Sequence, residues 1–301
     1  MQKFLRLASL ATAVTLTLAG TAGAQVFGYS GSLTSWTAPT TGTYFITALG
    51  AQGGHGTASS DPFVGGRGAK IGGLFSFTAG TTLSLAVGGM GSSYADSFNG
   101  GGGGGSFVVD ASSNPLLIAG GGGGIRSDAN NNGGDGSITQ FAQNGSCGDA
   151  TNQGALKSTD AGQGGSAPCV SWGGGGGGFY SNGAVDYAGS GQDWFNGLAG
   201  GAGFLSSKCN SDGGFGGGGS GSGCAGGGGG GGYSGGDGGW LAGGGGSYNA
   251  GTDEIAFAGV GYGDGLIEID AVTSTPEPAS ITLVVTGLLG VFGVARRKRG
   301  S

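Results

Sequence analysis

Six uninterrupted runs of glycine limit the structures open to this chain. They occupy residues 100–105, 120–124, 173–178, 216–219, 226–232 and 243–246, and the chain holds 83 glycines in 301 residues. Ordering one glycine costs about 1–2 kcal/mol of backbone entropy, and no side chain offsets that cost. Runs of this length are therefore either disordered or held by specific neighbours.

The remaining composition disfavours disorder. Hydrophobic residues make up 37% of the chain, only 9% is charged, and there are 15 Phe, 8 Tyr and 4 Trp. Disordered chains are usually rich in charge and poor in aromatic residues. The sequence therefore predicts a buried apolar core.

Short strand patterns separate the glycine runs. Residues 42–49 are rich in strand formers, and residues 74–77 and 83–87 alternate around Ala79 and Gly80 as a hairpin would. Further short strands are predicted at 106–109, 116–119, 254–257 and 266–269. The region between the two chain ends shows no helical periodicity, so we expect an all-β fold, an antiparallel β-sandwich.

The glycine runs can cover this sandwich. A helix of the polyproline-II type has three residues per turn and no internal hydrogen bonds, so its N–H and C=O groups point sideways and need neighbours. Glycine lets several such helices pack closely and pair. We therefore expect an inserted bundle of polyglycine-II helices, and the lack of a G-X-Y repeat excludes a collagen triple helix.

The N-terminus has the order of a secretory signal peptide. Lys3 and Arg6 precede the apolar stretch 7–18, and small residues follow at 22–24. We predict a signal peptide over residues 1–24, with cleavage between Ala24 and Gln25.

The C-terminus resembles a PEP-CTERM sorting signal. Pro276, Glu277 and Pro278 introduce the apolar stretch 281–295, which is followed by the basic residues Arg296, Arg297, Lys298 and Arg299. Counted from Ala279, 17 residues would form a helix of about 26 Å, just enough to cross a bilayer core. The basic cluster would stop on the cytoplasmic side. The resemblance implies that residues 273–301 anchor the protein transiently in the inner membrane of a Gram-negative bacterium until an exosortase cuts the signal. The alternative is an ordinary membrane anchor.

The region between the two signals, residues 25–272, is predicted to be one domain with an acidic balance. Residues 25–274 hold 5 basic and 16 acidic side chains, a net charge of −11. Nucleic acid is therefore excluded as a partner, because binding it requires a basic face.

All four cysteines lie between the two signals. They are Cys147, Cys169, Cys209 and Cys224. An even number in an oxidising compartment favours disulfides over free thiols. Three pairings are possible, of which Cys147 with Cys169 and Cys209 with Cys224 closes the shortest loops. Zinc is disfavoured, since no C-x-x-C spacing occurs.

The same region resembles the extracellular glycine-rich domain of the anaplastic lymphoma kinase and leukocyte tyrosine kinase receptors. The resemblance rests on ordered segments that include more than glycine: residues 36–39, 42–54, 74–91, 106–109, 115–126 and 213–236. It implies a tumour-necrosis-factor-like (jelly-roll) β-sandwich with inserted polyglycine helices. It also implies a bridge between Cys209 and Cys224.

Nothing in the sequence indicates an enzyme. The kinase motifs H-R-D and D-F-G are absent, and no Gly-Lys pair offers a phosphate-binding loop. The only histidine, His55, follows a predicted strand in a glycine turn. It could act as a general base, but it is interpreted as a solvated turn residue. No catalytic residue and no cofactor is predicted.

Two weaker patterns suggest ligands. Asp128, Asn130, Asn132 and Asp135 are spaced like the start of a calcium loop, although Thr139 stands where an EF-hand supplies glutamate. The alternative is a flexible Asn/Gly connection. Trp36, Trp172, Trp194 and Trp240 could form a sugar-binding face, but packing between sheet and glycine bundle is favoured.

Two functions follow from these patterns. The first is a structural protein of the cell surface or extracellular matrix, sorted by exosortase and associated with exopolysaccharide or biofilm. The second is an extracellular module that binds a carbohydrate or a protein. Exosortase is the expected processing partner in both cases.

Overall fold

The computed structural model describes residues 23–55, 64–93, 99–126, 132–146, 161–168, 173–203, 210–222 and 226–272. The predicted sorting signal and nearly all of the predicted signal peptide lie outside these ranges. Within the described residues no helix is both long and apolar enough to cross a membrane. The regular structure is almost entirely β-strand.

Within these ranges, two antiparallel sheets of five strands form the fold. The first sheet has the order β1-β10-β3-β4-β9 and consists of β1 (Gln25–Gly28), β10 (Leu266–Val272), β3 (Gly42–Leu49), β4 (Gly68–Phe77) and β9 (Thr252–Gly261). The second has the order β2-β5-β6-β7-β8 and consists of β2 (Thr34–Thr37), β5 (Thr82–Ala86), β6 (Ser106–Asp110), β7 (Pro115–Ala119) and β8 (Tyr248–Asn249). The predicted all-β fold and every predicted strand are confirmed.

The main core lies between the two sheets. Along β3 the side chains of Tyr44, Ile46 and Ala48 are buried, and the residues between them are half-exposed. They pack with residues of the other sheet such as Leu83 and Leu117. Because side chains alternate along a strand, each sheet turns one apolar face toward the other.

The predicted hairpin of β4 and β5 is wrong. Both strands exist, but β4 pairs with β3 and β9 in the first sheet, whereas β5 pairs with β2 and β6 in the second. The connecting turn contains Gly80 at φ 88° and is closed by a bond from the Thr81 N–H to the Thr78 carbonyl. Alternating apolar and polar residues occur in two strands whether they pair as a hairpin or belong to different sheets. The sequence pattern therefore could not distinguish the two arrangements.

The six glycine runs form a third region, here called the glycine lattice. Several runs continue directly from strands: 100–105 leads into β6, and 120–124 follows β7. Nearly all of their residues are buried. The lattice therefore begins at one end of the sandwich.

The run 226–232 is at the centre of the glycine lattice, since it is hydrogen-bonded to each of the other five runs. Its donors repeat every three residues: Gly228 and Gly231 bond to Gly100 and Gly103, while Gly229 and Gly232 bond to Gly174 and Gly177. The distances of these four bonds are 2.9–3.2 Å. A repeat of three is the period of a polyproline-II-type chain, whose polar groups point in three directions.

Candidate functional site

An aromatic cluster joins the glycine lattice to the outer face of the second sheet. It consists of Phe179, Tyr180, Trp194, Phe195 and Tyr233. On the sheet side, Phe107, Val109 and Ile118 are buried against Phe179, Leu198 and Tyr233. A second apolar core thus lies against the outer face of this sheet.

The glycine lattice positions Phe179 at the centre of the aromatic cluster. The run 173–178 ends immediately before Phe179, whose N–H donates to the Tyr233 carbonyl at 2.8 Å. Its ring stacks on Trp194 at 5.9 Å and 16°, and meets Tyr180 edge-on at 4.9 Å and 89°. Phe195 also meets it edge-on, at 5.7 Å and 72°.

This packing leaves two near-parallel rings at the surface. Tyr180 and Phe195 lie 6.5 Å apart between centroids at an interplanar angle of 19°. They are 49% and 59% exposed, although Phe179, which both rings contact, is fully buried. Exposed aromatic rings on a rigid base can bind apolar surface at little cost in entropy.

Tyr180 is held by the neighbouring backbone. Its N–H donates to the Gly162 carbonyl at 2.9 Å. Gly162 has φ +82°, and a Cβ there would lie 2.5 Å and 2.8 Å from the Tyr180 ring atoms Cδ2 and Cε2. Only glycine combines this backbone conformation with so close an approach.

A single-turn 3-10 helix, Trp194–Asn196, positions Phe195. The buried carboxylate of Asp193 caps it, accepting from the Asn196 N–H at 2.8 Å and from the Asn196 side-chain amide at 2.9 Å. Gly197 ends the turn at φ 93°. Trp194 thereby packs inward while Phe195 faces solvent.

Three amide side chains belong to the segments that carry or contact the two exposed rings. Gln163, Asn182 and Asn196 are exposed. The Gln163 carbonyl accepts from the Ser181 hydroxyl at 2.9 Å, and that of Asn182 accepts from the Asp193 N–H at 2.8 Å. These two bonds use the carbonyl oxygens and not the NH₂ groups, which are strong donors.

Packing changes the acidity of Tyr233. The pKa of Tyr233 is raised to about 12, and burial is the largest cause. The charge of Tyr180, a hydrogen bond with Tyr180 and the charge of Tyr248 raise this pKa as well. An unfolded tyrosine titrates near pH 10. The folded state therefore holds this proton more tightly than the unfolded state does.

We expect this proton to make stability fall at alkaline pH. The contribution is complete below about pH 10 and is lost as pH rises toward 12, because the unfolded chain then gives up a proton that the folded chain keeps. Urea unfolding at intervals from pH 8 to 12 measures the fall. The Tyr233→Phe variant lacks the phenol hydroxyl, so its free energy of unfolding should fall less between pH 10 and 12. An equal fall in both proteins would show that Tyr233 is not the group responsible.

The tryptophans only partly match their predicted packing between sheet and glycine lattice. Trp194 lies there as predicted. Trp36 lies instead between the two sheets, 5.2 Å from the Tyr44 ring. Trp240 is 36% exposed under the Arg126 guanidinium, 3.8 Å away, which contradicts the burial predicted for it. Trp172 lies outside the described residues. The three described tryptophans do not form one face.

Half of the calcium pattern is described. The Asn132 and Asp135 side-chain oxygens accept the Val64 and Arg67 N–H groups at 3.0 Å and 2.7 Å, so they fix the segment that enters β4. Asp128 and Asn130 lie outside the described residues. Among the residues that are described, no three His, Cys, Asp or Glu side chains come together as a metal site would require. Calcium binding by this loop stays a prediction.

His55 contacts one serine. Its N–H donates to the Ser93 hydroxyl at 2.8 Å, and its ring Nδ1 lies 3.3 Å from the same oxygen. The pair ties two glycine-rich segments together.

The remaining predicted sites lie outside the described residues. These are the cysteines Cys147, Cys169, Cys209 and Cys224, the motif Pro276, Glu277 and Pro278, and the basic residues Arg296, Arg297, Lys298 and Arg299. At the predicted cleavage point Ala24 is exposed and Gln25 begins β1.

No protein-family model matches the sequence, and a search of curated proteins finds no match. The aromatic cluster was not predicted from the sequence, since only the tryptophans were candidates for a sugar-binding face. The available signal was the placement of Phe179 and Tyr180 directly after a glycine run.

Proposed function

We propose that the protein is an exported structural protein of the bacterial surface or extracellular matrix. Its load-bearing element would be a stiff bundle of polyglycine-II helices. This bundle would be inserted in a tumour-necrosis-factor-like jelly-roll sandwich, as the resemblance to the receptor domain implies. The protein would associate with exopolysaccharide and would have no catalytic role.

The observation that carries this proposal is the three-residue hydrogen-bond period of the run 226–232. Such a lattice saturates main-chain groups with other main-chain groups, and it leaves almost no side chain for catalysis. Close packing without voids resists deformation. A domain built in this way suits a load-bearing or spacing role better than a reaction.

The export proposal rests on the two chain ends and has its own test. We expect the protein to reach the exterior, shortened by its C-terminal signal, in a Gram-negative host that has an exosortase. In an otherwise identical strain without the exosortase, the uncut chain should stay in the inner membrane. Fractionation and mass spectrometry of an N-terminally detected chain measure both.

A variant controls this test. Replacing Glu277 with Ala should give the uncut chain even when the exosortase is present, whereas replacing Asp270 with Asn should not. Identical processing of the Glu277→Ala and unmodified chains would contradict the sorting proposal.

The second candidate function is a binding module. One observation favours it: the exposed ring pair of Tyr180 and Phe195 on a buried aromatic base.

A further inference from the structure

We propose that Tyr180 and Phe195 form a binding site for a neutral polysaccharide. This inference rests on the proposed function, because it names the chemistry of the exopolysaccharide partner, and it depends on four features of the described residues.

The first feature is the geometry of the rings. A pyranose ring has an apolar face of C–H groups that packs against the face of an aromatic ring and removes both surfaces from water. The planes of Tyr180 and Phe195 differ by 19°. Sugars that lie on the two rings would therefore have a common orientation, as the units of an extended polysaccharide can.

The second feature is the set of donors beside the rings. Sugar hydroxyls require hydrogen-bond partners at the rim of the site. Asn182 comes two residues after Tyr180, and Gln163 accepts a hydrogen bond from Ser181, the residue after Tyr180. The Asn196 side-chain NH₂ is not one of these donors, because it already donates to Asp193 and Asn182. Because the carbonyls of Gln163 and Asn182 are already bonded to the protein, the amides are oriented and their NH₂ groups can donate to hydroxyl oxygens.

The third feature is the charge. Segments 161–164, 179–183 and 192–197 contain one formally charged side chain, Asp193, which is 3% exposed and caps the 3-10 helix. These segments offer no cation to an acidic sugar and no exposed anion to an amino sugar. A neutral polymer is the chemistry that fits.

The fourth feature is rigidity. Phe179, Gly162 and the capped 3-10 helix hold the two rings in place before a ligand arrives. A site that is already ordered does not lose side-chain freedom on binding.

A second copy of the chain fits this surface less well. A fully buried aromatic side chain contributes about 150–250 Å². Two rings that are already half-buried fall well below the roughly 800 Å² per partner of a stable protein interface.

The test is native affinity electrophoresis of the full chain purified in mild detergent. The gels contain a neutral β-glucan, a neutral galactomannan or, as the acidic comparison, alginate. We expect at least one neutral polymer to retard the protein and alginate to leave its mobility unchanged.

Variants assign the binding to the ring pair. Tyr180→Ala and Phe195→Ala should each weaken retention about tenfold or more, as truncated aromatic anchors do. Tyr180→Trp should retain binding. The matched control is Phe257→Ala, which removes an equally exposed ring, 54%, from β9 and should have no effect.

Three results would overturn the proposal. These are mobility that no neutral polymer changes, equal loss of binding in Phe257→Ala, and sedimentation showing that the ring variants convert an oligomer to a monomer. The export assay measures location and cleavage only. Failure of polysaccharide binding therefore leaves the export part of the proposed function intact, and the two failures can be told apart.

Discussion

Replacing Gly230 with alanine should destabilise the protein by about 3 kcal/mol or more, at the upper end of the usual cost of overpacking and far above that of an ordinary surface substitution. A Cβ at this position would overlap the Gly121 carbonyl oxygen and would lie 2.9 Å from the Gly245 nitrogen. Both neighbours are backbone atoms of the glycine lattice, so neither can rotate away. Relief requires separating whole runs and breaking their hydrogen bonds.

Urea unfolding followed by circular dichroism measures this loss. The matched control is Gly42→Ala at the start of β3, where a Cβ would meet nothing within 4 Å. That variant should be neutral or slightly more stable, since alanine restricts the unfolded chain. Equal stability of the two variants would show that the runs are not packed as described.

Replacing Phe179 with alanine should cost about 3–5 kcal/mol, the usual range for a buried aromatic ring. This side chain is fully buried and contacts Trp194, Tyr180, Phe195 and Tyr233. Its loss leaves a cavity between the second sheet and the glycine lattice. We expect the lattice side to open before the sandwich does, because the core between the sheets keeps its own contacts.

Hydrogen exchange separates these two regions. Amides of the run 226–232 should lose protection in Phe179→Ala, and amides of β3 should keep it. The control is Phe195→Ala, which removes a 59% exposed ring of the same cluster and should cost less than about 1 kcal/mol. If both variants lose equal stability, the aromatic cluster does not connect the two regions.

The strands could be predicted from sequence, but their partners could not. Every predicted strand is present because alternation and β-propensity are local properties. Strands β1, β2 and β8 were missed because they have only two to four residues and lack a long pattern. The hairpin of β4 and β5 was wrong because pairing depends on which face of which sheet the strand covers.

The candidate site was less predictable. Phe179 and Tyr180 are adjacent and differ only by a hydroxyl, yet one is fully buried and the other is half-exposed. Phe195 comes near Tyr180 only because the glycine lattice and the 3-10 helix bring the two segments together. No spacing in the sequence contains that information.

From the sequence one could predict ordered glycine runs held by lateral neighbours, since the surrounding composition favours a buried core and glycine allows close approach. Which runs are neighbours became clear only from the folded chain, in which 226–232 lies at the centre. Local sequence could not specify these pairings because glycine has no side chain with which to select a partner. The ends of the runs, attached to strands and to Phe179, fix the arrangement instead.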